Sequence, residues 1–318
     1  MTGYNQPLVS VIVASYNHVS FLDDRMKSLL NQTYSNIEVI VIDDNSTDES
    51  ALTLRKYLKD SRVKLIENTT NTGWVNVSNQ GFLLSEGEYV VFANCDDTCE
   101  STLIENLVQF FQLNPSAGIV FCRSSLIDSE GMILGEDFAG RDFSFRKLCD
   151  QDILISPQQM QKFLIHSCVI PNLSAAMIKS HVFKELKGFT REYKICSDWD
   201  LYFRLSKVHS FGYVSRSLNR FRQHKNTVRS TQGEIKVLEE VLALLLEKNR
   251  LLEVSFLKRF SFRYSAARIF CEWYVRRYPP NLKNLGKMTK RLAQIDLKVL
   301  GFLPIALMIR IYRILIRD

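Results

Sequence analysis

The sequence lacks the short glycine-rich and cysteine motifs that most often identify nucleotide-binding and metal-binding proteins. No Gly-x-Gly-x-x-Gly follows its first apolar run, and no Gly-x-x-x-x-Gly-Lys-[Ser/Thr] occurs anywhere. These absences exclude the dinucleotide-binding fingerprint and the P-loop as means of holding phosphate. The seven cysteines are odd in number and contain no Cys-x-x-Cys pair. We therefore expect reduced thiols in a cytosolic protein, and neither a disulfide framework nor a structural zinc site.

The chain also has little that would place it across a membrane. Its N-terminus passes into a strand pattern without the basic region and cleavage site of a signal peptide, so we expect no secretory signal. The apolar stretch at residues 299–316 spans 18 residues but contains Gly301, Pro304, Arg310 and Arg313. A bilayer-spanning helix needs roughly 20 apolar residues, so this stretch is better suited to lying in the interface.

Composition indicates a globular chain with one basic segment. With 318 residues, 46% of them hydrophobic and 24% charged, the chain is long enough for one large domain and an appendage. Residues 1–250 hold 27 Lys and Arg against 30 Asp and Glu, whereas residues 251–318 hold 14 against 4. The net charge of +7 therefore belongs to the tail. That tail is rich in aliphatic residues and contains no recognised nucleic-acid-binding module, so we expect no nucleic-acid partner.

The first part of the chain alternates strand and helix patterns. Residues 9–14 form a β-branched run, and apolar residues then recur at helical spacing between residues 21 and 30. A second apolar run at residues 38–42 leads into another helix, and a third strand is predicted over residues 63–67. This alternation predicts an α/β fold built on a parallel sheet.

Polar clusters follow three of the predicted strands. They are Ser15-Tyr16-Asn17, Asp43-Asp44 and Asp96-Asp97. Ligands of open parallel sheets bind beyond the carboxyl ends of the strands, so these clusters mark the expected site. Two adjacent carboxylates after a buried strand repel each other and need a cation or hydrogen bonds to stay ionised. A divalent metal such as Mg²⁺ or Mn²⁺, bridging a substrate diphosphate, suits this arrangement.

Four ordered segments make the chain resemble a known enzyme family over roughly its first 230 residues. They are VSVIVASYN, IEVIVIDDNSTDES, NTGWVNVSNQGFLLSEGEYVVFANCDD and SDWDLYFRLSK. These segments are similar to the successive signatures of family 2 inverting nucleotide-sugar glycosyltransferases. The resemblance implies a GT-A fold, which is Rossmann-like with a mainly parallel sheet flanked by helices. It implies a catalytic domain at residues 1–230 and leaves residues 231–318 as a helical C-terminal appendage.

The resemblance also implies roles for residues at the strand ends. Ala14, Tyr16 and Asp44 match the positions that hold the base of the nucleotide. Asp44 accepts from a uracil ring nitrogen when the donor is a UDP-sugar. In the adjacent pair, Asp96 faces the ribose or the sugar, and Asp97 ligates the metal, which is expected to be Mn²⁺ or Mg²⁺.

Two later segments complete the expected site. Asp198 matches the general base that deprotonates the acceptor hydroxyl, although Ser197 replaces the Glu that usually precedes it. Arg222 and His224 lie in a segment that resembles the Arg-x-His end of the family's catalytic domain. The resemblance implies that His224 completes the metal site and that basic side chains neutralise the diphosphate, for which Arg222 and Arg229 are the candidates. From the residue types alone, a helix cap at Asp198 and an ordinary surface histidine at position 224 remain open alternatives.

The tail combines a basic helical face with an apolar end. Lys283, Lys287, Lys290 and Arg291 fall on one face of a predicted helix. Such a surface beside an apolar stretch is typical of peripheral binding to anionic lipid. We therefore expect a cytoplasmic protein that associates with the inner face of the cell membrane through residues 281–318. The alternative is that the C-terminal helix packs on its own domain or on a second subunit.

Together these patterns predict a metal-dependent, inverting glycosyltransferase of the hexosyltransferase type. It would move a sugar from a nucleoside diphosphate sugar, expected to be a UDP-sugar, to a hydroxyl of a saccharide or lipid-linked acceptor. Bacterial surface polysaccharide biosynthesis is the expected setting. The alternative is a catalytically inactive, nucleotide-binding scaffold of a membrane glycan-assembly complex. Residues 123–175 contain loops that lie beside the acceptor in relatives, but they do not identify the acceptor.

Overall fold

The chain folds into two compact units, residues 1–224 and residues 225–318. The computed structural model describes residues 6–141, 143–225, 234–251, 256–277, 286, 289–290, 292–293 and 297–308. The division lies six residues before the domain boundary expected at residue 230. Assignment of catalysis to the first part of the chain and of membrane binding to the second stays a prediction.

The first unit is a sheet flanked by helices. Its strands are β1 (Val9–Ser15), β2 (Ile37–Asp43), β3 (Val63–Glu67), β4 (Tyr89–Asn94), β5 (Thr98–Cys99), β6 (Ala117–Ile127), β7 (Ile133–Glu136), β8 (Ile153–Ile155), β9 (Ala176–Lys179) and β10 (Ser210–Arg222). Its helices are α1 (Val19–Leu30), α2 (Ser50–Arg55), α3 (Trp74–Leu83), α4 (Leu103–Leu113), α5 (Phe143–Leu148), α6 (Pro157–Leu164), α7 (Ser180–Glu185) and α8 (Ser197–Leu205). The strands form one sheet in the order β3-β2-β1-β4-β9-β6-β10-β5, with β7 paired to β6 and β8 to β10.

The N-terminal half of the sheet is parallel. β1 pairs in parallel with both β2 and β4, and β2 pairs in parallel with β3. Helices cover both faces of such a sheet, which is why β1 and β2 are mostly apolar and almost entirely buried. The register aligns Ala14 with Ile42 on one side and with Asn94 on the other. The polar residues that follow these three strands therefore emerge at one edge.

The second half of the sheet is mixed. β9 runs antiparallel to both β4 and β6, whereas β6 and β10 are parallel to each other. The expected α/β class is confirmed, and the antiparallel pairings refine the expected sheet. A periodicity of two identifies strands but carries no information on which way neighbouring strands run. The consequence for the site is that the end of β10 returns to the loop after β4.

Helix α3 packs closely on β1 because of one glycine. A Cβ atom at Gly81 would collide with the side chain of Ile12, so only glycine allows the helix to approach this strand. Helix α3 follows Thr72 and Gly73, whose backbone N–H groups donate to Asp44 just after β2. Helix α3 thus presents the start of its backbone to the same edge of the sheet.

The second unit is helical in the residues that the structure describes. It contains α9 (Glu234–Leu251), α10 (Phe256–Arg277) and a 3₁₀ turn over Leu297–Phe302. The ring of Phe260 lies 4.6 Å from that of Phe302, centroid to centroid, and joins α10 to the turn. None of the described helices is both long and apolar enough to span a bilayer. Lys290 is exposed, whereas Lys283, Lys287, Arg291 and residues 309–318 lie outside the described residues.

Candidate functional site

The loops after β1 and β2 are fastened to each other by side-chain hydrogen bonds. The Asn17 backbone N–H donates to Ser46 Oγ at 3.0 Å, and the Asn17 side chain accepts from the Thr47 backbone N–H at 2.8 Å. Asn17 has a φ of 54°, a left-handed conformation that asparagine tolerates better than most residues. Asp43 completes the joint by accepting from the backbone N–H and the hydroxyl of Ser46. The expected base-binding loop is therefore held in one conformation.

Two of the three expected base-binding positions are open to a ligand. Tyr16 is 41% exposed, and Ala14 is half-buried at the end of β1. Asp44 is 3% exposed, and its carboxylate accepts from the backbone N–H groups of Thr72 and Gly73. Those bonds tie the end of β2 to the start of α3, so Asp44 has a structural function. Its contact with the nucleotide base stays a prediction.

Asp97 lies in the interior, enclosed by hydrogen-bond donors. It has no exposed surface, and its Oδ2 accepts from Ser174 Oγ at 2.6 Å and Asn172 Nδ2 at 2.7 Å. The Asn94 side chain adds a longer bond of 3.2 Å to the same oxygen. Its Oδ1 accepts from the Arg222 backbone N–H at 3.0 Å. Both carboxylate oxygens are therefore used to join the loop after β4 to β10 and to the segment before β9.

Asp96 faces a different environment, formed by two histidines. Its Oδ2 lies 2.8 Å from His224 Nε2. Residues His18, Asp96 and His224 each offer one ligand atom, and the three atoms lie within 4.8 Å of one another. A carboxylate oxygen with two imidazole nitrogens is a donor set that suits Mn²⁺ and related divalent ions. Among the described residues, this is the group that could hold a metal.

The two neighbouring carboxylates differ in their pKa values. Burial raises the pKa of Asp97, and repulsion by Asp96 raises it further, to about 7, despite the Arg25 charge and the bonds from Ser174 and Arg222. Burial also acts to raise the pKa of Asp96, but its hydrogen bond to His224 and the charges of His18 and His224 outweigh burial and lower it. Asp96 therefore ionises more readily than Asp97 and is the better candidate for a cation ligand.

The two aspartates have different surroundings, which bear on the predicted metal ligand. The sequence prediction gave the metal to Asp97 and the ribose or sugar to Asp96. The structure favours Asp96, because it lies with His18 and His224, while the oxygens of Asp97 are occupied by internal donors. The expected place of His224 in the metal site is compatible with its position and stays a prediction.

Arg222 is a buried clamp, which disfavours the expected phosphate contact. The residue is 1% exposed, and its guanidinium donates to the Asp96 carbonyl at 2.7 Å and to the Ser129 carbonyl at 2.7 Å. It also forms an ion pair of 3.3 Å with Asp24 on α1 and lies over the Phe21 ring. Its donors are directed at the protein and hold the loop that carries Asp96, and its contact with the diphosphate stays a prediction.

Asp198 lies where a helix begins, as expected. It is half-buried in the first turn of α8, and its Oδ1 accepts from the Trp199 backbone N–H at 2.7 Å. Asp200, two residues on, is buried and forms an ion pair with Arg204 that is structural. The negative charge of Asp198 also acts on the buried phenol of Tyr202, whose pKa burial raises. The role of Asp198 as the general base stays a prediction.

Sequence reasoning missed several residues of this site. His18 was not considered, although it directly follows Tyr16-Asn17 at a strand end, and that position was an available signal. Asn172 and Ser174 belong to a segment expected near the acceptor, yet the structure directs both side chains to Asp97. Arg25 is fully buried on α1, and its guanidinium nitrogens have no hydrogen-bond partner among the described residues. No local pattern points to these long-range contacts.

Comparison with known proteins matches the chain to one family model and to several relatives. The family model described as glycosyl transferase family 2 matches residues 10–164. An uncharacterized glycosyltransferase of Rickettsia typhi is 30% identical over 239 residues, which cover 75% of this chain and 70% of that protein. A shorter match, 37% identical over 105 residues, covers 33% of this chain and 41% of WfaP of Escherichia coli, a UDP-Glc:alpha-D-GlcNAc-diphosphoundecaprenol beta-1,3-glucosyltransferase.

A solved structure shares the fold. TarS of S. aureus (residues 1–349), in complex with UDP-GlcNAc, superposes with a TM-score of 0.67 and 15% identity. The superposition covers 92% of this chain and 83% of that one. At this identity the likeness concerns the fold alone.

Proposed function

The chain belongs to glycosyltransferase family 2, and from that premise we propose that it is an inverting transferase that uses a nucleoside diphosphate sugar. The observation that carries this proposal is the meeting of Tyr16, Asp96 and His224, from the ends of β1, β4 and β10, at one edge of the sheet. Open α/β sheets bind their ligands at this edge. An exposed aromatic ring beside a carboxylate and imidazoles offers a place for a base and for a cation-bound diphosphate.

The proposed donor is a UDP-sugar. WfaP uses UDP-Glc by its name, and the TarS structure contains UDP-GlcNAc. In this chain, Tyr16 is exposed and lies in a loop that the Asn17 contacts hold in place, as a base-stacking platform requires. A rigid platform binds the base without an ordering cost at the moment of binding.

The proposed cofactor is Mn²⁺ or Mg²⁺, held by Asp96 and His224. The donor set fits, because Asp96 is ionised and its carboxylate lies at hydrogen-bonding distance from an imidazole. When bound, the cation would stabilise the negative charge of the departing diphosphate as a Lewis acid. The protein's own contribution is to fix the Asp96 loop through Arg222, which donates to the Asp96 carbonyl.

Asp198 is the proposed general base. Inversion requires a base on the face of the sugar opposite to the leaving group, and a carboxylate is suited to remove the proton of the attacking hydroxyl. Asp198 is half-buried at the start of α8, and its Oδ1 is oriented by the Trp199 backbone N–H. An aspartate in this position is suited to accept the proton of an acceptor hydroxyl.

The Asp198→Asn variant tests this role. We expect transfer to fall by about 100-fold or more, the usual range for a lost general base, while UDP binding in Mn²⁺ stays unchanged. Asp150→Asn is a matched control, because Asp150 is exposed and lies outside the proposed site. Wild-type turnover in Asp198→Asn would remove Asp198 from the base role.

A donor screen tests the function as a whole. Thermal shift with Mn²⁺ across uridine, guanosine, cytidine and thymidine diphosphate sugars should give the largest stabilisation with a uridine donor, because ligand binding to the folded state raises its melting temperature. Release of nucleoside diphosphate from the stabilising donor would then establish turnover. Stabilisation without any release, with or without acceptors, would favour the inactive scaffold.

The proposed acceptor is a saccharide or a lipid-linked saccharide, of the kind used in bacterial surface polysaccharide biosynthesis. WfaP acts on a diphosphoundecaprenol-linked sugar by its name. In the second unit, Leu297 is 68% exposed and Met308 64% exposed, and Lys290 and Lys298 are exposed nearby in sequence. Exposed apolar and basic side chains together favour peripheral contact with an anionic bilayer at the inner face of the cell membrane.

Flotation with anionic liposomes tests this contact. The double variant Leu297→Ser and Met308→Ser should float less than the wild type, because it loses apolar area that enters the interface. Leu83→Ser is the matched control, since Leu83 is 83% exposed but lies in the first unit. Equal flotation of all three proteins would contradict the proposed membrane contact.

A further inference from the structure

His18 has a fixed tautomer. Its Nδ1 lies 2.6 Å from the carbonyl oxygen of Tyr16. A carbonyl oxygen can only accept, so Nδ1 carries the hydrogen and donates it. The lone pair of the neutral ring is then on Nε2, which is the arrangement of a histidine that binds a metal and is oriented by a backbone carbonyl.

The backbone around His18 is equally well fixed. Its backbone N–H donates to Ser50 Oγ at 3.2 Å, and the preceding residue is Asn17, which is fastened to Ser46 and Thr47. The next residue, Val19, donates to Asp48 Oδ2. Residues 16–19 are thus held by bonds among themselves or to residues 46–50, which follow β2. The imidazole is therefore positioned before any ligand binds.

The His18 ring is directed at the same place as His224. The two imidazoles lie 5.7 Å apart, centroid to centroid, at an interplanar angle of 81°. The Phe21 ring packs 4.7 Å from His224 and 6.2 Å from His18 and supports both. With Asp96, the two histidines offer three ligand atoms within 4.8 Å of one another. Ligands of a six-coordinate cation with bonds of about 2.1 Å are roughly 3 Å to 4 Å apart, so a separation within 4.8 Å is close to that of bound ligands.

We propose that His18 is a third protein ligand of the cation, binding through Nε2 together with Asp96 and His224, and that it biases the site toward Mn²⁺ over Mg²⁺. Imidazole nitrogen suits Mn²⁺ better than Mg²⁺, which strongly prefers oxygen ligands. The inference rests on the proposed function, because it concerns the cation of the same donor site. It also links that cation to the base-binding loop, since the His18 ring is oriented by the carbonyl of Tyr16.

Two substitutions at His18 separate its two ring nitrogens. His18→Asn keeps a donor near the position of Nδ1 and removes the atom at Nε2. His18→Gln instead places an amide near Nε2, and its oxygen can replace the ligand nitrogen. His181→Asn is the matched control, because His181 is exposed on α7. All variants are made in the full chain and studied with Mn²⁺ and UDP, without an acceptor.

Pulsed electron paramagnetic resonance of bound Mn²⁺ counts the coordinated imidazoles. We expect two in the wild type and in His181→Asn, and one in His18→Asn and His18→Gln. Titration of the free Mn²⁺ signal should show an affinity about tenfold lower or more for His18→Asn. With Mg²⁺ as competitor, the preference for Mn²⁺ should fall by about tenfold in His18→Gln, because an oxygen replaces a nitrogen.

Two results would overturn the inference. The first is the same number of coupled imidazoles in the wild type and in His18→Asn. The second is an equal loss of UDP affinity in His18→Asn with and without Mn²⁺, which would mean that the imidazole contacts the diphosphate directly. Two coupled imidazoles in a wild-type protein that transfers no sugar would support the ligand assignment and refute the proposed function instead.

Discussion

Asparagine substitutions at two adjacent aspartates distinguish a cation ligand from a structural carboxylate. Asp97 is fully buried, three side-chain donors converge on its Oδ2, and the Arg222 backbone N–H donates to its Oδ1. Asp96 is bonded to His224 and lies in the group that could hold a metal. Exchange of one carboxylate oxygen for an amide nitrogen changes little in volume, so the two variants differ mainly in hydrogen bonding and ligation.

The loss of unfolding free energy expected for Asp97→Asn follows from the hydrogen-bond partners of Asp97. The amide oxygen can serve the three side-chain donors, but the amide nitrogen then faces the Arg222 N–H, which is also a donor. A buried donor left without an acceptor costs about 1–3 kcal/mol, and the other three bonds lose their charge assistance. We expect the free energy of unfolding to fall by about 2–4 kcal/mol in total, which lowers the melting temperature by roughly 4–16 °C for a unit of this size.

Thermal melting and Mn²⁺ titration, each with UDP present, measure the two effects. Asp97→Asn should melt earlier and, below its melting temperature, keep its Mn²⁺ affinity within about tenfold. Asp96→Asn should melt near the wild type and lose Mn²⁺ affinity by about 100-fold or more, since loss of a ligand costs at least as much as loss of a supporting contact. The reasoning is refuted if Asp97→Asn melts like the wild type and binds no Mn²⁺ while Asp96→Asn still binds it.

Two further predictions follow from buried polar groups. Arg222→Lys should lower the unfolding free energy by about 2–4 kcal/mol in chemical denaturation, because one ammonium cannot reach the carbonyls and the Asp24 carboxylate that the guanidinium joins. An unchanged unfolding free energy together with lost UDP affinity would instead support contact between Arg222 and the diphosphate. Burial acts to raise the pKa of Glu38, but hydrogen bonds from Ser10, the Glu86 backbone N–H and Lys64 lower it from 4.5. The stability that Glu38 contributes is present above pH 4.5 and is lost as pH falls through its lower folded pKa. The free energy of unfolding of the wild type should therefore be about 1–3 kcal/mol higher than that of Glu38→Gln at pH 7, and the difference should be smaller below pH 4. A difference independent of pH would contradict this.

Much of the fold could be predicted because the pattern is local. The apolar runs at residues 9–14 and 38–42 and the helical spacing between them need no knowledge of distant residues. The direction of β9 was not predictable in this way, because an antiparallel and a parallel strand have the same alternation. Pairing of β9 with β4 and β6 depends on where the chain returns after residues 123–175.

The candidate site was predictable in place but not in detail. Strand ends mark where polar side chains meet, and Tyr16, Asp44 and Asp96 are found there. The contacts of Arg222 were not predictable, because they depend on which carbonyls surround its guanidinium. Those carbonyls belong to residues 93 and 126 positions away, and no local pattern records them.

By itself the sequence determined that acidic and aromatic side chains follow buried parallel strands, because hydrophobic periodicity and strand ends are written in neighbouring residues. Only the tertiary structure decided which of two adjacent aspartates is a structural acceptor and which faces the histidines. Asp97 is enclosed because Asn172, Ser174 and Arg222 arrive from distant segments. Asp96 faces His224 because the chain returns to it with the end of β10. The burial and charge around a carboxylate are set by such long-range neighbours, and they determine both its pKa and its chemistry.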